Sequence, residues 1–187
     1  MHTQTASPPL QAVTLQGITS SMTPKAKELA EIYFSRKSLL IALSDNQCFA
    51  DAIMLLSNAM PHPKGLRWAL NCVQRNNGDT ALSEEKAITL NTTAQWLDKP
   101  NEDIREKILP TSTIAQPSPV TWLAMAAYWS GGGISHNESE SPEPVPDELI
   151  HDSIYSSVML SIQEMEEQKQ HIAYKDAIKQ GIKILYS

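Results

Sequence analysis

The sequence predicts an all-α fold, and three observations carry that expectation. Apolar residues recur at three- and four-residue spacings in one segment after another; no run alternates with period two long enough to argue for a strand; and Pro, Ser, Thr or Asn stands where most of these segments begin. The 187 residues suit one domain, long enough to bury roughly two-thirds of its unfolded surface without a disulfide or metal staple. Seven or eight helices are expected, as helical hairpins packed in an irregular array around a central Trp-rich helix.

Residues 1–22 contain Pro8-Pro9 and many Ser, Thr and Gln without a sustained period, and are expected to form a flexible N-terminal arm. Residues 23–187 then form a single helical domain. Thr23-Pro24 supplies a cap and a first turn, and Ala26, Leu29, Ala30, Tyr33 and Phe34 share one helical face. After a short break, with Ser44 or Asp45 available as caps, Phe49, Ala52, Ile53, Leu56 and Met60 make the next stripe, stopped before Pro61 and Pro63. His62 is placed to cap and Pro63 to open a helix whose Leu66, Ala69, Leu70 and Val73 lie opposite Lys64, Arg67 and Asn71, ending near Asn76-Asn77-Gly78. Ser83, followed by Glu84 and Glu85, opens another that carries Ala87, Leu90, Ala94 and Leu97 as far as Lys99-Pro100. Asn101 starts a shorter helix with Ile104, Ile108 and Leu109, interrupted at Pro110.

The densest apolar run is Pro119 to Gly133, PVTWLAMAAYWSGGG. Trp122, Met125, Ala126 and Trp129 fall at i, i+3, i+4 and i+7, and Leu123, Ala124, Ala127 and Tyr128 fill most of the remaining circumference, so this helix belongs inside. Ser118 caps it, Pro119 suits its first position, and the glycines can close it in left-handed geometry. Ser130, Gly131, Gly132 and Gly133 also admit a ligand loop. The helix stop is preferred, because anion cradles use N–H groups at a helix N-terminus and these glycines follow a C-terminus, with no Lys-Ser/Thr sequel and no GxGxxG spacing. Residues 134–146 are poor in apolar side chains and hold three prolines, which reads as an exposed Pro-rich acidic loop. Beyond it, Leu149, Ile150, Ile154, Val158, Ile162 and Met165 form one long period, and Tyr174, Ile178, Ile182 and Leu185 a last one.

Charge is segregated. The net charge is −6, yet residues 108–168 contain no Lys or Arg and nine acids. Such a surface repels phosphate backbones, and the remaining cations are scattered singly, so no nucleic-acid partner is expected. The N-terminus lacks a basic region followed by an apolar core, and no run approaches the length of a membrane span, so a cytoplasmic protein without a membrane partner is expected. Cys48 and Cys72 lie among apolar neighbours without a CxxC, as two buried thiols would.

No motif for chemistry emerges. The five histidines stand in no HExxH or Cys/His spacing, Glu167 and His171 supply only two ligands at i, i+4, and no cofactor is expected. Ser130 is not on a GxSxG elbow, although with the glycines and His136 it defines the site of an alternative reading as a ligand-binding domain or hydrolase. Arg105, among Glu102, Asp103 and Glu106, is read as a lock on the preceding turn, with carboxylate binding as the other reading. Trp68 and Trp96 lie off the main stripes of their helices, which makes them either binding anchors on a partly exposed face or core residues.

The segments WLDKPNEDIR at 96–105 and PVTWLAMAAYWSGGG at 119–133 together resemble a family of uncharacterised bacterial proteins. In that family a Trp-containing helix, a Pro turn and an Arg precede a W-L-A-x-A-x-x-W-S-G-G segment, then a Pro-rich stretch and a final helical pair. The resemblance covers nearly everything after residue 23. It implies an α-helical domain without assigned enzymatic activity and an accessory role beside secretion or signalling machinery. The leading expectation is therefore a non-enzymatic interaction or adapter domain whose acidic loop and exposed aromatic residues contact another protein; a self-associating structural subunit is a third reading.

Overall fold

A computed structural model describes residues 18–77, 82–108, 117–132 and 145–187. All regular structure among them is helical, as the periodicity requires. In chain order the helices are α1 (Pro24–Ile32), α2 (Arg36–Asp45), α3 (Phe49–Ala59), α4 (His62–Asn76), α5 (Glu84–Asp98), α6 (Glu102–Arg105), α7 (Pro119–Ser130), α8 (Asp147–Gln163) and α9 (Glu167–Leu185). A further helical turn covers 18–21.

Four predicted caps form. Thr23, Ser83, Asn101 and Ser118 each accept the backbone N–H three residues on, satisfying one of the donors a helix start leaves open. His62 does not cap: it is the first residue of α4, entered through extended Pro61 with no side-chain cap bond. Residues 1–17 of the expected arm lie outside the described residues; at its end Met22 is buried, and the Thr23 that follows is tied by two 2.8 Å hydrogen bonds, from its N–H and its hydroxyl, to Asp51 of α3.

The first two helices differ from the sequence reading. α1 ends at Ile32, and Tyr33 and Phe34 leave the expected face for solvent, Phe34 being 88% exposed. Ser35 then accepts from Ser38 N–H and starts α2 where only a short break was expected; Ser44 and Asp45 lie inside this helix and do not cap α3, which begins after Cys48 without a side-chain cap bond. α2 closes through Gln47 at φ 61°, with Cys48 N–H bonded to Leu43 O at 2.8 Å and Gln47 N–H to Ser44 O at 3.2 Å. That paired bonding is the Schellman stop.

In α5 the buried stripe is Thr89, Leu90, Thr93 and Trp96 rather than Ala87, Leu90, Ala94 and Leu97. The two threonines enter the core because their hydroxyls donate to Glu85 O and Thr89 O one turn back, so no polar group is left open.

The helix at the hub is α8, not the Trp-rich α7. It touches α7, α4, α3 and α9. Its apolar face, Ile150, Ile154, Val158 and Ile162, is buried, and so is a second stripe of Ser153, Ser157 and Ser161. The serines are small enough for close helix approach, and each hydroxyl is satisfied: Ser153 by Leu149 O, Ser161 by Val158 O, and Ser157 by Pro119 O at the start of α7. In α7 itself the fully buried residues are the smaller ones, including Val120, Leu123, Ala124 and Ala127, while Trp122, Met125 and Trp129 are half-buried. α9 reaches α3 and α4 through Ala173, Ala177 and Gly181, where a Cβ on Gly181 would stand 2.8 Å from Leu56 Cδ1 and 3.1 Å from Trp68 Cε2. Both cysteines are free and buried, and burial pushes the Cys72 thiol up to about 12.

Candidate functional site

Five of the residues singled out in the sequence, Trp96, Arg105, Ser130, Gly131 and Gly132, converge at the C-terminal end of α7. The Asn101 cap holds α6 as a single turn, and Glu102 and Arg105 at i, i+3 therefore project from one side of it. Arg105 is 9% exposed. Its Nε donates to Glu102 Oε2 at 2.8 Å, Nη2 donates to Glu102 Oε1, and Nη1 donates to Tyr128 O at 3.3 Å. The guanidinium also lies over the Tyr128 ring, 4.5 Å from its centroid.

These bonds complete the end of α7. Tyr128 O is among the last carbonyls of the helix, which have no intrahelical partner, and a cation there also faces the negative end of the helix dipole. Hydrogen bonding from Arg105 holds the Glu102 carboxyl below its ordinary value, and the same bonding raises Arg105. The carboxylate that an exposed Arg105 would have captured from a ligand is supplied by its own neighbour. The arrangement is a latch, and an external anion has to displace Glu102 to enter it.

Gly131 and Gly132 belong to the same latch. Gly131 is right-handed, at φ −89° and ψ −11°, and no glycine among the described residues has positive φ, so the expected left-handed closure does not occur at Gly131 or Gly132. The small residue is needed for a different reason. A Cβ on Gly131 would lie 2.6 Å from Trp96 Cζ2 and 2.7 Å from Arg105 Cδ, and one on Gly132 would lie 3.4 Å from Arg105 Cζ. Trp96, 7% exposed, is thus a wall of the latch and not a surface anchor. Trp68 is likewise core: it is fully buried, with Nε1 donating to Ala177 O at 2.9 Å. Ser130 turns back into its own helix and donates to Ala127 O at 2.9 Å. Gly133 and His136 lie outside the described residues, as does most of the 134–146 loop.

Two further surface features were not read from the sequence. His62 Nε2 stands 3.5 Å from Asp147 Oδ1, and its ring packs edge-on against His151 with centroids 4.9 Å apart, beside an open cleft lined also by Asn58 and Pro61. Burial first, and then His62, lower the His151 pKa. His171, considered with Glu167 as a ligand pair, instead packs edge-on against Phe49 at 5.3 Å. Among the described residues no group of three or more His, Cys, Asp or Glu side chains is placed to hold a metal.

The second feature is a groove of about 260 Å³ between α2 and α9, walled by Ile41, Ser44 and Asp45 on one side and Lys175, Ile178, Lys179 and Ile182 on the other. Ile41 is 46% exposed, and Tyr186 beyond the end of α9 is 50% exposed, with Lys37 Nζ 5.7 Å from its ring centroid. The signal was present in the sequence: Phe34, Lys37, Ile41 and Asp45 lie along one face of α2 and its entry, but they are hidden if residues 33 and 34 are counted with α1.

No curated protein and no solved structure matches the chain. A family model does, over residues 39–185, from α2 to the end of α9. The chain belongs to that family, a family of unknown function (DUF6931), which agrees with its resemblance to helical proteins without assigned activity.

Proposed function

We propose that this family member is a protein-interaction or adapter domain that acts by docking rather than by chemistry, accessory to a larger assembly such as a secretion or signalling system. The observation that supports the reading is the set of large apolar side chains left at the surface around α2: Ile32, Phe34, Ile41 and Tyr186. Scattered surface hydrophobics are ordinary, but several gathered along one helix and its neighbour are typical of binding faces. The latch adds support of a different kind. Ser130, Gly131, Gly132 and Arg105, the residues on which a ligand-binding or hydrolytic site would depend, are engaged with one another or with their own helices.

The domain as proposed binds another protein and takes no cofactor, nucleic acid or membrane. No helix among the described residues is long and apolar enough to cross a membrane. Affinity capture with the full chain from native lysate tests the proposal. A specific, stoichiometric partner is expected, with capture reduced at least fivefold by I32S/F34S while circular dichroism stays unchanged. Recovery of no specific partner contradicts the proposal, and light scattering that shows only stable homo-oligomers favours a structural subunit instead.

A further inference from the structure

We infer that the groove between α2 and α9 is the docking site for an acidic amphipathic helix of a partner protein. The inference rests on the adapter reading and adds to it a location and a chemistry. Ile41, Ile178 and Ile182 give the groove an apolar floor, while Lys175 and Lys179, one helical turn apart on α9, stand together along one wall. On the α2 wall Asp45 is the opposing charge, and about two turns back on the same helix Lys37 adds a cation beside the Tyr186 ring. Among the described residues neither Lys175 nor Lys179 forms an ion pair with this chain. In a protein of net charge −6 this local excess of unpaired cations runs against the overall field, and it selects a ligand whose charge is opposite.

The shape selects a helix. From Lys175 to Ile182 the groove runs about two helical turns, the length over which apolar residues at i, i+3 or i+4, and i+7 meet a floor laid between two helices. Such a ligand places its apolar stripe on Ile41, Ile178 and Ile182 and its Asp and Glu residues beside Lys175 and Lys179. The chain's own segments fit poorly. Residues 1–17 contain no Asp or Glu, and residues 134–146 carry Glu138, Glu140 and Glu143 but interrupt them with Pro142, Pro144 and Pro146, which a helix does not tolerate at that spacing. The three-isoleucine floor is also unsuited to a nucleic-acid backbone.

The test places a photoreactive benzoyl-phenylalanine at position 41 of the full chain, with position 88, an exposed isoleucine on α5, as the comparison site. Crosslinking is done in native lysate, the crosslinked segment is identified by mass spectrometry, and a synthetic peptide of that segment is titrated into the intact protein. Position 41 is expected to capture a segment with at least three Asp or Glu residues and apolar residues at helical spacing. Its peptide is expected to bind at least tenfold more weakly to K175E/K179E, and to weaken as salt rises from 50 to 300 mM. The inference is overturned if position 41 captures a second copy of this chain or a non-acidic segment, if charge reversal leaves affinity unchanged, or if the intact protein instead binds anionic phosphatidylglycerol vesicles through these lysines. Specific capture at position 88 but not 41 removes the groove and leaves the adapter reading standing. Capture at neither position also removes the groove, and the adapter reading is then decided by affinity capture with wild type and I32S/F34S.

Discussion

Gly131→Ala separates two accounts of why the Trp-rich helix ends in glycine. If glycine were needed for left-handed backbone, alanine would cost about 1 kcal/mol wherever its Cβ pointed. Gly131 is right-handed, so the backbone itself accepts alanine and gains roughly 0.4–1 kcal/mol from a less flexible unfolded chain. The cost lies in packing. The added methyl would meet Trp96 Cζ2 at 2.6 Å and Arg105 Cδ at 2.7 Å, and neither neighbour moves freely, because the indole is buried and the guanidinium is bonded to Glu102 and Tyr128. Relieving such a contact needs a shift of about 0.8 Å, and overpacking of this kind costs about 1–3 kcal/mol. The net expectation is a loss of about 1–2 kcal/mol, seen as a fall in Tm of roughly 2–8 °C by calorimetry. The decisive comparison is the same substitution made in Trp96→Phe, where the outer indole ring is gone and the loss is expected to shrink by about 1 kcal/mol. An equal loss in both backgrounds would refute the packing account and return the cost to the backbone.

Gln47→Gly should stabilise the protein by up to about 1 kcal/mol in urea denaturation, because the residue sits at φ 61° in the Schellman stop of α2; destabilisation would mean that the glutamine side chain contributes there. Trp68→Phe should lose about 1–3 kcal/mol through the missing Nε1–H donor to Ala177 O and the void beside Gly181, and a neutral result would contradict the packing described for α9. His151 is held more easily neutral than in the unfolded chain, so it contributes stability that is complete above about pH 6.5 and is lost as pH falls through its lowered folded value. The wild-type Tm should therefore drop between pH 6.5 and 5 more steeply than that of His151→Gln, and parallel slopes would remove His151 as the cause.

The fold class was legible in the residues because helix caps and apolar periodicity are local. Thr23, Ser83, Asn101 and Ser118 were all identified from their own neighbourhoods and all cap as expected. What the sequence concealed depends on tertiary partners. Thr89 and Thr93 count as polar until one sees their hydroxyls bonded within the helix, and the serines of α8 count as surface until Ser157 meets Pro119 O. The latch was half legible. Arg105, Glu102, Trp96 and the glycines could each be singled out, but only the fold brings α5, α6 and α7 together, and it turns a possible anion site into an internal ion pair. The α2–α9 groove was hidden for a simpler reason: Tyr33 and Phe34 continue the period of α1, so the break at Ser35 leaves no trace in apolar spacing.

Hydrogen exchange of the full chain with and without the partner segment captured at position 41 tests the adapter account most directly. Slowed exchange at 36–45 and 175–186, with residues 128–132 and 102–108 unchanged, is the predicted result. Protection confined to the α7 end and the Arg105 turn, with α2 and α9 exchanging as in the free protein, would contradict it and make the latch the binding site.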